Sequence, residues 1–190
     1  MTYADDRINE KRIINEIAEK VAQTMGWEVQ TDSQPLSDQG IIRKDEKSLY
    51  FRLDWRDKTR LEISGGFNGC AQYLPYHDKR EKTEITVSRD KPIEKIVKDI
   101  QGRLLPGYEK MLAYALEMKA KDNEFTAKKQ ADLEEIAGLV KGATIQDEKV
   151  WSYKPHLTCK HWLDGDWELT TTLTKEKLKA VLAIINEQSL

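Results

Sequence analysis

The feature that most constrains this chain is an alternation. In LYFRLDW, residues 49–55, Leu49, Phe51, Leu53 and Trp55 fall on one side of an extended backbone, with Tyr50, Arg52 and Asp54 on the other. A period of two with one apolar face fits a half-buried strand and does not fit a helix, whose side chains return to a face every three or four residues. The neighbouring runs continue the pattern. After the turn RDK, TRLEIS places Leu61 and Ile63 inward and Arg60 and Glu62 outward, and EITVS places Ile85 and Val87 inward. WEVQTD reads as a short strand followed by a turn at QPLSDQG, and IIRKDE offers a further strand before the alternating run. Such segments predict an antiparallel meander with one face on a core and one in water.

Helical periodicity brackets this sheet. Ile13, Ile14, Ile17, Val21 and Met25 recur at helical spacing, and Gly26 supplies a left-handed stop. Asp90, Lys91 and Pro92 open a second helix with a buried stripe of Ile93, Ile96, Val97, Ile100 and Leu104. Pro106-Gly107 predicts a kink or break, because proline lacks a backbone donor and its ring meets the preceding turn. No further breaker occurs until Gly138. A heptad laid from Leu104 through Tyr108, Met111, Ala115 and Met118 to Phe125, Ile136 and Leu139 fails at Asp122, Lys129 and Asp132. Charged seam positions predict a solvated span between two packed ends. The sharper reading makes the 107–140 helix an oligomerisation or partner-binding element.

The last fifty residues predict a second small lobe. HLTCKHWLDGDWELTTTL reads as a hairpin turning at Asp164-Gly165. Leu157, Cys159, His161 and Leu163 share one face, as do Trp167, Leu169, Thr171 and Leu173, and Thr174 caps a helix with the stripe Leu178, Val181, Leu182 and Ile185. The predicted class is therefore α+β: two small antiparallel-sheet lobes joined by a long kinked helical spine. Its expected parts are a helix and meander over 1–91, a spine over 92–140 kinked at Pro106-Gly107, and a hairpin-plus-helix lobe over 141–190.

Composition narrows function by exclusion. The chain carries 31 basic and 33 acidic residues, spread evenly along its length, so neither a basic tail nor an acidic decoy of nucleic acid is present. MTYADDRINEKRI has no apolar core of a signal peptide, and no apolar run approaches the length of a membrane helix. Two distant cysteines, Cys70 and Cys159, match no metal or redox spacing. These readings predict a cytoplasmic protein that does not engage membranes.

ISGGFNGCAQYLPYHDKREKTEITVS, residues 63–88, holds the main candidate site. A phosphate loop needs amides converging at a helix start, usually followed by Lys-Ser/Thr, whereas this stretch leads back into a strand. Its length is the informative part, since aperiodic connections of about twenty residues are usually functional, mobile or self-packed. Phe67, Tyr73, Tyr76, His77, Lys79, Arg80 and Lys82 together make a candidate partner-binding surface of aromatic anchors and basic groups. The alternative site is for nucleic acid, with Tyr50, Arg52, Arg60, Arg89 and Lys91 on and beside the polar face of the first sheet. Asp54 and Glu62 share that face.

No constellation predicts chemistry. In HLTCKH only Cys159 and His161 share a face, too few ligands for zinc, so His156, Cys159 and His161 predict no metal site. Cys70 and His77 lack a third, orienting group. Glu134-Glu135 reads as solvated charge on a helix. The expectation is a chain with no catalytic residues and no cofactor. An enzyme would need a pocket joining His77 or His161 to carboxylates distant in sequence.

One junction carries a resemblance. ITVSRDKPIEKIVKDIQGRLLPGYEKMLAYA resembles a pattern in uncharacterised proteins of phages and mobile elements, in which a strand ending in ITVS runs into a helix with Asp-Ile and Arg-Leu-Leu-Pro-x-Tyr. The matching residues are Ile85 to Ser88, Val97, Asp99, Ile100, Arg103 to Pro106 and Tyr108. The resemblance implies a mobile-genetic-element context in a bacterial host and carries no activity. By analogy with small phage proteins that occlude host machinery, it implies a protein-binding factor acting on a host protein or complex, such as an inhibitor of a bacterial defence system.

Overall fold

The computed structural model describes residues 3–30, 39–76, 79–152, 157–161, 166–177 and 179. The expected turns at QPLSDQG and Asp164-Gly165, together with His77, His156, Leu163 and the stripe from Leu178 to Ile185, fall largely or wholly outside these residues. The architecture is α+β, with two antiparallel sheets and a long helical run. The chain divides into two compact units, Met1–Ala120 and Lys121–Leu190.

In the first unit, α1 (Tyr3–Met25) leads into a five-stranded meander of β1 (Glu28–Gln30), β2 (Gly40–Lys44), β3 (Lys47–Leu53), β4 (Arg60–Gly65) and β5 (Glu84–Ser88), each strand pairing with the next in sequence. The expected alternation is present. Leu49, Phe51, Leu53, Leu61, Ile63, Ile85 and Val87 are buried, and Arg52 is exposed on the other face. Register explains their convergence, because Phe51 pairs with Ile63 and Ile63 with Ile85, stacking three apolar residues across the sheet. Ile14, Ile17, Ala18, Val21 and Ala22 of α1 join the same core. Gly40 lets the helix lie close, since a Cβ there would stand 2.9 Å from the Ala18 Cβ. Each large side chain so buried contributes about 1.5–3 kcal/mol.

Gly26 stops α1 as expected, at φ 66°, with the Trp27 N–H reaching back to the Ala22 carbonyl at 2.8 Å. No atom lies near the position a Cβ would take there. Gly26→Ala is therefore expected to cost about 1 kcal/mol through backbone conformation alone, read as a lowered denaturation midpoint. An unchanged midpoint would remove the left-handed stop as the helix terminator.

One expectation is corrected and another narrowed. Trp55 does not complete the inward face and is 75% exposed, because β3 ends at Leu53 and the chain turns at once. The Asp54 carboxylate accepts the Arg56 N–H, and the Arg56 guanidinium stacks 4.6 Å from the Trp55 ring centre. Of the expected kink or break at Pro106-Gly107, the break does not occur. α2 (Ile93–Asp99) passes through a π segment (Ile100–Leu104) into α3 (Leu105–Leu139), and the Leu105 N–H bonds the Ile100 carbonyl five residues back. That wider turn precedes the proline ring, which straight α geometry would press against the Gly102 carbonyl.

The helical run from the π segment through α3 contributes a core face to each unit. Leu104, Tyr108, Met111, Leu112 and Ala115 are buried in the first. Residues 120–128 are all exposed, which fits the charged seam position Asp122, whereas the other two, Lys129 and Asp132, are half-buried. In the second unit Leu133 is buried in place of Leu139, which is 77% exposed. There β6 (Ala143–Gln146), β7 (Lys149–Ser152), β8 (Leu157–His161) and β9 (Trp167–Thr171) form a four-stranded meander. Its core is small: Leu133, Val150 and Cys159, with Ile136, Ala137, Ala143, Leu157 and Trp167 packed against it. Leu169 pairs with Cys159 across the strands but remains 58% exposed on β9. The β6–β7 hairpin was not expected from sequence. Its turn places Asp147 and Glu148 at φ 49° and 57°, a conformation normally signalled by Asn-Gly.

Candidate functional site

The connection from β4 to β5 is a built structure anchored at its base. The Gly65 N–H bonds the Thr83 carbonyl at 2.9 Å, and the Gly66 N–H bonds the Ser48 carbonyl at 2.8 Å. Tyr108, rising from the first turns of α3, closes this junction. Its buried hydroxyl donates to the Gly66 carbonyl at 2.8 Å and accepts from the Ser48 N–H at 3.0 Å. Burial pushes the phenol pKa up, so the hydroxyl keeps its proton. Gly65 is required because any Cβ would overlap the Tyr108 ring. The Phe67 ring meets Tyr108 edge-on at 5.5 Å, and Cys70 is buried nearby in the same core.

Beyond this base, Gly69 turns the chain at φ 68° and a short 3-10 turn (Ala71–Tyr73) carries it outward. Tyr73 and Leu74 pack against the core. The returning leg crosses α3 at Gly107, where a Cβ would collide with the Lys82 carbonyl, and Glu81 is held by Lys110 at 2.6 Å. The excursion is a compact surface loop closed at its ends and packed by its own residues.

What the loop offers outward is a groove of about 550 Å3 lined by Gln72, Leu74, Pro75, Tyr76, Lys79 and Arg80, with Tyr114 supplied by α3. Tyr76 is 85% exposed and Tyr114 is 41% exposed. The Arg80 Nε donates to the Pro75 carbonyl at 2.6 Å, which fixes the guanidinium beside the groove. The predicted residues thus divide. Tyr76, Lys79 and Arg80 line the groove, and Lys82 is exposed on the returning leg. Phe67 and Tyr73 turn inward as packing anchors that hold the loop. Tyr114 was missed, although one signal was available: it is an aromatic residue off the stripe formed by Met111, Leu112 and Ala115.

On and beside the alternative surface of the first sheet, Arg52, Arg89 and Lys91 are engaged. The Arg52 guanidinium is paired with Glu62 directly across the strands, which raises its pKa further. Tyr50 donates to the Asn68 side chain at 2.9 Å, so the β4–β5 loop covers that part of the face. Arg89 donates to the Lys58 carbonyl at 3.1 Å and approaches Asp90 at 3.6 Å. Lys91 pairs with Asp99, and Arg60 is exposed.

Asp99 joins the β5–α2 turn to the helix, taking Lys91 on one side and Arg103, at 3.5 Å, on the other. The Lys91 hydrogen bond holds its carboxyl below the ordinary aspartate value of 3.8, against the opposing pull of burial, and the charges of Lys91 and Arg103 add to the effect. A depressed carboxyl pKa contributes stability above the unfolded value and loses it as pH falls through the folded one. Asp99→Asn is expected to lower stability by up to about 1 kcal/mol at neutral pH. Below pH 3.8 the difference from wild type should shrink as the wild-type carboxyl takes up its proton. A difference independent of pH in acid denaturation series would contradict this role.

The described cysteine and histidine groups considered for chemistry are engaged in packing. Cys70 is buried in the first unit. Cys159 is buried in the second, which pushes its thiol pKa up, and His161 packs edge-on to Trp167 at 5.0 Å. Among the described residues no three histidine, cysteine or acidic side chains stand close enough to hold a metal ion, and no helix is long and apolar enough to cross a membrane. No protein family model, curated protein or solved structure matches the chain. Its class rests on architecture: a two-sheet α+β chain with an anchored aromatic and basic loop beside a helix.

Proposed function

We propose that this chain is a non-enzymatic protein-binding factor of a phage or mobile element, acting on a host protein through the β4–β5 loop and the adjoining flank of α3. The observation that carries the reading is Tyr76, 85% exposed beside Lys79 and Arg80, on a loop whose base is held by Tyr108. A tyrosine exposed on a well-held scaffold loses little conformational entropy on docking and offers a large contact area, which suits an interface anchor. The mobile-element context comes from the resemblance over residues 85–108. Within that context the reading extends to inhibition of a bacterial defence system by occlusion.

The test begins with affinity capture from the bacterial host, followed by purification of the captured protein and calorimetry against wild type and a variant with residues 72–80 replaced by a short glycine-serine linker. Wild type binds and the linker variant does not. Equal affinities would remove the loop from the interface. The defence reading predicts that expressing the chain restores phage plating on a host carrying the captured system, and unchanged plating would reject it.

A further inference from the structure

A second groove lies on the other flank of α3 in the same unit. Its floor is Leu112, Ala113 and Leu116, its rim carries Asp45 and Glu46 from the β2–β3 turn together with Glu109, and its volume is about 430 Å3. Lys47 pairs with Glu109, so Asp45 and Glu46 give the rim its acidic character. Leu112 is 5% exposed and Leu116 is partly buried, which makes the floor apolar.

This groove complements the loop described above in charge and in polarity. The loop carries Tyr76 beside Lys79 and Arg80, an exposed ring with basic neighbours, and the groove sets an apolar floor inside an acidic rim. We propose that the occupant is a second copy of this chain: the loop of one molecule docks in the groove of the next, with Tyr76 on the leucine floor and Lys79 and Arg80 against Asp45 and Glu46. A formal net charge of −2 leaves little long-range repulsion between copies.

The arrangement also fixes the kind of assembly. At 3.6 residues per turn, Tyr114 beside the loop stands on the opposite flank of α3 from Leu112 and Leu116. Donor and acceptor surfaces therefore face different ways, and the contact is head-to-tail: each docked pair leaves one loop and one groove unfilled. Self-association uses the surface proposed for the host protein, but its test needs no host component, so the two readings fail separately.

Sedimentation velocity of the whole chain provides the test, together with the variants Tyr76→Ala and Ala113→Arg. Both positions are exposed, and unchanged circular dichroism establishes that each variant folds. Wild type is expected to sediment faster as concentration rises from micromolar to several hundred micromolar at low salt, and to return toward monomer in about 0.5 M salt, where screening shortens to a few ångströms. Each variant alone is expected to stay monomeric. A mixture should form a dimer and stop there, because Tyr76→Ala keeps its groove, Ala113→Arg keeps its loop, and the remaining surfaces are spoiled. Monomeric wild type at every concentration would overturn the proposal, as would association that survives in both variants or a mixture that stays monomeric.

Discussion

Tyr108→Ala is expected to unfold the first unit at a denaturant concentration far below that of wild type, with a loss of about 4 kcal/mol. The side chain is fully buried, and its ring fills the space that Gly65 leaves open. Truncation leaves a cavity and strands two buried groups, the Ser48 N–H and the Gly66 carbonyl, both of which its hydroxyl serves. Tyr108→Phe separates these contributions. It keeps the ring and its edge-on contact with Phe67 while removing the hydroxyl, and should cost about 1–3 kcal/mol. Hydrogen exchange localises the effect: in Tyr108→Phe the amides of Ser48, Gly66 and the loop should exchange faster, with β6–β9 unaffected. A Tyr108→Phe variant as stable as wild type would mean that the hydroxyl does not pin the loop.

The second large effect concerns binding. Tyr76→Ala and Tyr114→Ala are each expected to weaken capture of the host partner by about 30-fold, equivalent to about 2 kcal/mol, with the denaturation midpoint unchanged. Both rings line the groove and neither is buried, so removing them leaves the fold intact. Phe67→Ala should behave differently, weakening binding and stability together, because Phe67 packs on Tyr108 at the loop base. Calorimetry of the three variants paired with thermal denaturation separates the surface residues from the anchors. Binding unchanged by the two tyrosine variants would place the interface elsewhere.

Much of the first unit was legible because burial alternates along β4, β5 and the second half of β3. Leu49, Phe51 and Leu53 declare their face without reference to any other residue. The same alternation misplaced Trp55, since a period of two does not encode where pairing stops, and the sheet ends at Leu53 with a turn stabilised by Asp54. Pro106 carried a true signal of helical disturbance, but sequence does not distinguish a break from a π segment that absorbs the ring. The β6–β7 hairpin was hidden because the second left-handed position of its turn is Glu148, where glycine is usual after an aspartate such as Asp147.

The site was legible in outline and mixed in detail. Length and composition singled out the β4–β5 loop, and glycines at 65 and 66 were explicable only once Tyr108, more than forty residues later, was in place against them. Phe67, Tyr73 and Tyr76 are alike in composition. Which ring packs and which faces water depends on α3, a tertiary contact that no local pattern records. Tyr114 enters the groove for the same reason.

Hydrogen–deuterium exchange on the complex with the purified host partner tests the central claim most directly. The account predicts slowed exchange on binding in residues 72–80 and in the α3 turn around Tyr114, with the exposed 120–128 segment unchanged. Slowed exchange elsewhere, with the loop and that turn exchanging as in the free chain, would contradict it.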